Sequence, residues 1–80
     1  MSDPVNEHLG RRLRNRRRSM ELTQTDVART CGIAFQRIQK YESAANPMSA
    51  AMVWKFATVL GVDVRYFYEG LSPEPGAPAE

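Results

Sequence analysis

Apolar residues fall at Val5, Leu9 and Leu13, four apart, and Met20 follows seven further on, in a stretch otherwise dominated by arginine. That period lays a single apolar stripe along a helix. Asp3-Pro4 marks its start, with an acceptor side chain ahead of a proline at the first helical position. A first helix is therefore expected from about Pro4 to Ser19, its arginines mostly directed away from the stripe. Thr23 caps a second helix, and Asp26 three residues on completes a capping box, with Leu22 and Val27 spaced to staple the entering chain. The same spacing recurs with Ile33 and Ile38 around Ala34, Met48 and Val53 around Ser49, and Val62 and Phe67 around Asp63. Gly32, Gly61 and Gly70 follow the second, fourth and fifth of these segments, where a left-handed terminating residue is favoured. The pattern predicts an all-α fold of five short helices in one domain, residues 1–71. Residues 72–80, SPEPGAPAE, are too polar and proline-rich to fold and are expected to form a disordered tail.

The second and third helices are joined by TCGIA, with Gly32 where the chain must turn sharply. Two short helices about a three- or four-residue turn containing glycine make a helix-turn-helix. Counted from Gln24, the motif needs a small residue at the fifth position, glycine at the ninth and a branched apolar residue at the fifteenth. Ala28, Gly32 and Ile38 occupy those places.

Charge sharpens this picture. The net charge of +2 is unevenly spread. Residues 9–41 hold nine basic residues against Glu21 and Asp26, a sum of +7, while the remainder sums to −5. A positive field over one half of a small domain is the footprint of a polyanion binder, with a solvated cationic face as the other reading. The single cysteine excludes an intrachain disulfide or a multi-cysteine metal site. No apolar run approaches a signal-peptide core or a membrane span. The expected location is the cytoplasm, associated with the nucleoid, with no membrane partner.

The segments LTQTDVARTCGIAFQRIQKYE and NPMSAAMVWKFATVLGVDVRYFYEG resemble the lambda-repressor-like (Xre) family of bacterial and phage regulators. The likeness spans roughly Leu9 to Leu71. It implies a compact five-helix DNA-binding domain, usually dimeric, whose third helix enters the major groove of double-stranded DNA. It further implies that Gln24, with Thr25 beside it, meets the DNA backbone at the start of the second helix. It pairs Arg17 with Glu42 as an internal strut, and brings the loop residue Asn46 close to phosphate. Three residues depart from the family pattern: Ala34 stands for a capping Thr, Ala44 for a Gly, and Pro47 for an Arg.

At 100° per residue, Ala34, Ile38, Tyr41 and Glu42 fall on one side of the third helix. Gln36, Lys40 and Ser43 point the opposite way, with Arg37 and Gln39 on the flanks. Glutamine can bond adenine N6/N7 in a bidentate manner, and Lys or Arg can reach guanine O6/N7. A solvated helix face is the plainer reading of the same strip. Phe35, near the helix start, could pack inward or touch a thymine methyl. Arg11, Arg14 and Arg18 read as solvated cations that add long-range attraction. Cys31 reads as a buried structural thiol, and His8 has no partner at metal-ligand spacing.

No phosphate-cradling glycine loop, apolar carboxylate pair or activated nucleophile is present, so neither an enzyme nor a cofactor is expected. Trp54 lies about 100° from the line of Val53, Ala57 and Leu60, and Tyr66 and Tyr68 crowd the last helix. These aromatics either complete a thin core or form a homodimer contact. The resulting expectation is a dimeric transcriptional regulator, most simply a repressor of a near-palindromic operator. Its control would come through protein level or a regulatory protein partner. An antitoxin-like adaptor, or a DNA-architectural factor for excision or recombination, are the other classes open.

Overall fold

The Asp3 side chain accepts from the Val5 amide at 2.9 Å and starts the first helix as its sequence requires. The computed structural model describes residues 3–71; the expected tail at 72–80 lies outside them. The described chain folds as α1 (Pro4–Ser19), α2 (Gln24–Cys31), α3 (Phe35–Glu42), α4 (Ala50–Leu60) and α5 (Arg65–Tyr68). No strand occurs among the described residues. The Thr23–Asp26 capping box closes in both directions at 3.0 and 2.9 Å, satisfying two donors at the start of α2. Gly32 (φ 70) and Gly61 (φ 69) end α2 and α4 in the left-handed region. Ser49 caps α4 through the Met52 amide. Asp63 accepts from the Arg65 amide as expected of a cap, although regular α5 begins only at Arg65.

The stripes meet in one core. Leu13, Val27, Ile38, Phe56, Leu60 and Phe67 are fully buried, one or two from each helix. The residues spaced for stapling, Leu22, Ile33 and Val62, are half-buried against it. Two expectations are corrected. Met20 is exposed, because α1 ends at Ser19 and the stripe's phase is lost beyond that point. Ala34 is also exposed. It is the N-cap in extended backbone (ψ 145), so helical angles do not apply to its side chain.

Two devices set how the other helices pack on α1. Gly10 lies under the end of α3; a Cβ there would stand 2.6 Å from the Tyr41 carbonyl oxygen and 2.8 Å from that of Glu42. Only glycine lets the two backbones approach so closely. On another face of α1, His8, Arg12 and Arg16, spaced four apart, serve the carbonyls at the ends of the last two helices. Arg16 Nε donates to Leu60 O at 3.0 Å, Arg12 Nε donates to Tyr66 O at 2.8 Å, and His8 Nε2 lies 2.8 Å from Glu69 O. Carbonyls that a helix end leaves unpaired thereby gain partners from α1.

Candidate nucleic-acid interface

Beneath the interface lies a three-helix joint. Arg17, from α1, donates to Glu42 at the end of α3 through Nε (2.6 Å) and Nη2 (3.0 Å), and its Nη1 donates to Leu22 O at 2.9 Å. Gln24, the first residue of α2, donates its Nε2 to Glu42 Oε1 at 3.0 Å. The two charged side chains are 10% and 5% exposed. The bond to Glu42 raises the Arg17 pKa above its ordinary value, against the opposing effect of burial. A fork-to-carboxylate pair with every nitrogen of the guanidinium engaged fixes the relative positions of α1, α2 and α3. Gln24 thus has one amide hydrogen committed inside the protein, with its other hydrogen available.

Outward from this joint, α3 turns Ile38 and Tyr41 into the core and leaves Gln36, Arg37, Gln39, Lys40 and Ser43 exposed. No acidic side chain stands on that exposed strip. Phe35 is 39% exposed at the start of the helix, so it is not drawn into the core. Thr25 is exposed beside Gln24 at the start of α2, and Asn46 is half-buried in the α3–α4 loop, its backbone N–H donating to Lys40 O at 3.2 Å. Ala44 holds that loop with φ 63, the left-handed conformation a glycine adopts more easily. A groove lies at the C-terminal end of α3, between the end of α1 and the start of α2. Gln24, Gln39 and Ser43 line it, and so do Arg14, Arg18 and the acidic Glu21. The sequence pattern gave no sign that Arg14 and Arg18 flank α3. That placement depends on how α1 crosses α3, which Gly10 controls.

The aromatics assigned to a dimer contact do not share one environment. Trp54 is 62% and Tyr68 45% exposed. Tyr66 is half-buried beneath Arg12, whose guanidinium carbon sits 3.7 Å from its ring centroid, and its ring stands edge-to-face with Phe67. Tyr66 is therefore half-buried within its own chain, whereas Trp54 and Tyr68 stay exposed. Arg12, 54 positions away in sequence, is the residue that covers Tyr66.

Elsewhere, Cys31 is 3% exposed, and burial pushes its thiol pKa up, which disfavours the reactive thiolate. No group of three or more His, Cys, Asp or Glu suited to a metal ion occurs among the described residues. No helix among them is long and apolar enough to cross a membrane.

A family model described as a helix-turn-helix domain matches residues 8–65. An uncharacterized transcriptional regulator in the ATPase CF(0) region of Rhodospirillum rubrum is 42% identical over 67 residues, covering 84% of this chain and 62% of that protein. An uncharacterized HTH-type transcriptional regulator of Sinorhizobium medicae is 34% identical over 74 residues, covering 92% of this chain and 53% of its own length. The chain thus spans between about half and under two thirds of these relatives. Among solved structures, the restriction-modification controller protein C.AhdI from Aeromonas hydrophila superposes with a TM-score of 0.73 at 26% identity, covering 78% of this chain and 94% of that one. The clp gene regulator ClgR from C. glutamicum superposes with a TM-score of 0.78 at 19% identity, covering 84% and 87%, a likeness of fold alone.

Proposed function

The chain belongs to the lambda-repressor-like (Xre) family of helix-turn-helix transcriptional regulators, and on that premise we propose that it binds double-stranded DNA sequence-specifically, as a homodimeric repressor. The observation that carries this reading is the exposed strip of α3, which offers amides and an ammonium, no carboxylate, and a rigid base in the Arg17–Glu42–Gln24 joint. Gln36, Gln39 and Lys40 would meet base edges, and Phe35 a thymine methyl. Gln24, Thr25, Ser43 and Asn46 would meet the backbone, helped by the free amides and positive dipole at the start of α2. Arg14 and Arg18 sit along the same groove and add positive charge close to that path. Such contacts need neither a catalytic group nor a cofactor, and the protein would act in the cytoplasm on the nucleoid.

The test is selection of duplexes from a random-sequence library by the wild-type protein, followed by titration of the enriched duplex. Gln36→Ala and Lys40→Ala should each weaken specific binding by about 1–3 kcal/mol with an unchanged helical circular-dichroism spectrum. Wild-type affinity in both variants would remove α3 from the groove.

A further inference from the structure

Among the exposed basic residues of α3, Arg37 differs from Lys40. Its Nη2 donates to the Tyr41 hydroxyl at 2.6 Å, one helical turn on, and its guanidinium carbon lies 5.5 Å from the Tyr41 ring centroid. Tyr41 is itself packed into the core. It is 5% exposed, and its ring stands edge-to-face against Phe56, 5.6 Å away at 76°, which is fully buried on α4. The core of the domain thus reaches through two aromatic rings to one arginine at its surface. No carboxylate among the described residues pairs with Arg37, so its charge is held in place without being cancelled.

We propose that Tyr41 is a positioning residue which turns Arg37 sideways, making it a clamp on the DNA backbone and withholding it from base edges. This rests on the DNA-binding reading above. A bidentate bond to guanine needs the flat fork of the guanidinium aimed straight into the groove. Here one arm of the fork is anchored on the inward side of α3, away from the direction of Gln36 and Lys40. The remaining N–H donors face the flank of the helix, where a duplex lying along α3 presents its sugar-phosphate edge. Arg37 then supplies affinity without sequence information, and base discrimination falls to the Gln and Lys side chains.

The experiment uses the full chain, the duplex that it enriches from a random-sequence library, and a scrambled duplex of the same composition, each titrated at several salt concentrations. Arg37→Ala should weaken binding to both duplexes by the same factor, about tenfold, and lower the salt slope by about one. Arg37→Lys, which keeps the charge and loses the fork, should restore the slope. Tyr41→Phe keeps the ring and its contact with Phe56, and should weaken both duplexes equally with an unchanged thermal transition. In the Arg37→Ala background it should cause no further loss. Loss on the enriched duplex alone in Arg37→Ala would make Arg37 a base reader and overturn the assignment. So would wild-type binding by Tyr41→Phe, or losses that multiply in the double variant. Enrichment of no sequence by the wild-type chain would instead overturn the DNA-reading function itself, and this assignment with it.

Discussion

Glu42 is the residue on which three helices depend, and most of its role lies outside anything a periodicity can show. The Arg17–Glu42 pair follows from family resemblance, but the third member, Gln24, depends on a rotamer that sends its amide inward to Glu42 Oε1. The same limit hid the cover that Arg12 places over Tyr66, since a contact between positions 54 apart exists only once α5 has docked on α1. Breaking a buried pair leaves a charge without compensation, which costs more than the pair itself contributes. Glu42→Ala should therefore lower stability by roughly 3 kcal/mol in urea unfolding, because Arg17 is stranded at 10% exposure. The Arg17→Met/Glu42→Ala double variant should lose less than the sum of its singles. Small, additive losses would describe two independent surface charges.

At the scale of the element, helix boundaries were legible because caps are local chemistry: Asp3, Thr23, Ser49, Gly32 and Gly61 each act within four residues of themselves. Helix α3 is the exception, since both its ends are chemically weak. Ala34 offers no side-chain acceptor at its start, and Ala44 takes a left-handed conformation just beyond its end. Ala34→Thr should add about 1 kcal/mol through a cap bond, and Ala44→Gly a similar amount by relieving strain at φ 63. For a domain of this size each kcal/mol raises the thermal midpoint by about 4–8 °C. A lower midpoint in both variants would count against this account of the two ends. The capping box of α2 carries a pH dependence of its own. Bonds from the Thr23 amide and hydroxyl hold the Asp26 carboxyl below the usual carboxylate range. A depressed folded pKa gives stability that is full above the unfolded value of about 3.9 and is lost as pH falls through the lower folded one. Asp26→Asn keeps an acceptor and removes the charge, so its deficit in melting temperature near neutrality should shrink as the solution is acidified toward pH 2. A deficit independent of pH would mean that the charge contributes nothing.

The proposed function poses, for the whole molecule, the question of how five short helices would achieve specificity. One α3 presents few outward side chains, and each good bidentate contact discriminates by only about 1–3 kcal/mol. Two copies on one face of DNA double the reading and add phosphate neutralisation from both basic halves, so affinity should fall steeply with salt. A second copy needs a surface, and α1, α2 and α3 are committed to the core and the proposed DNA face. What α4 and α5 leave open is Trp54 at 62% exposure and Tyr68 at 45%, with Tyr66 withdrawn under Arg12. Large exposed aromatics of this kind are enriched where protein surfaces meet. Trp54→Ala and Tyr68→Ala should weaken binding to the enriched duplex while leaving thermal stability close to wild type, since neither residue is buried in the single chain. Tyr66→Ala should behave differently and lower stability directly, because it removes the ring on which Arg12 rests. Sedimentation with and without the duplex, with half-site centres about 10 base pairs apart, supplies the decisive count. Two chains per duplex for wild type, with weaker assembly in Trp54→Ala and Tyr68→Ala, is the expected result. One chain per duplex, with both variants binding as wild type does, would dismiss the dimer.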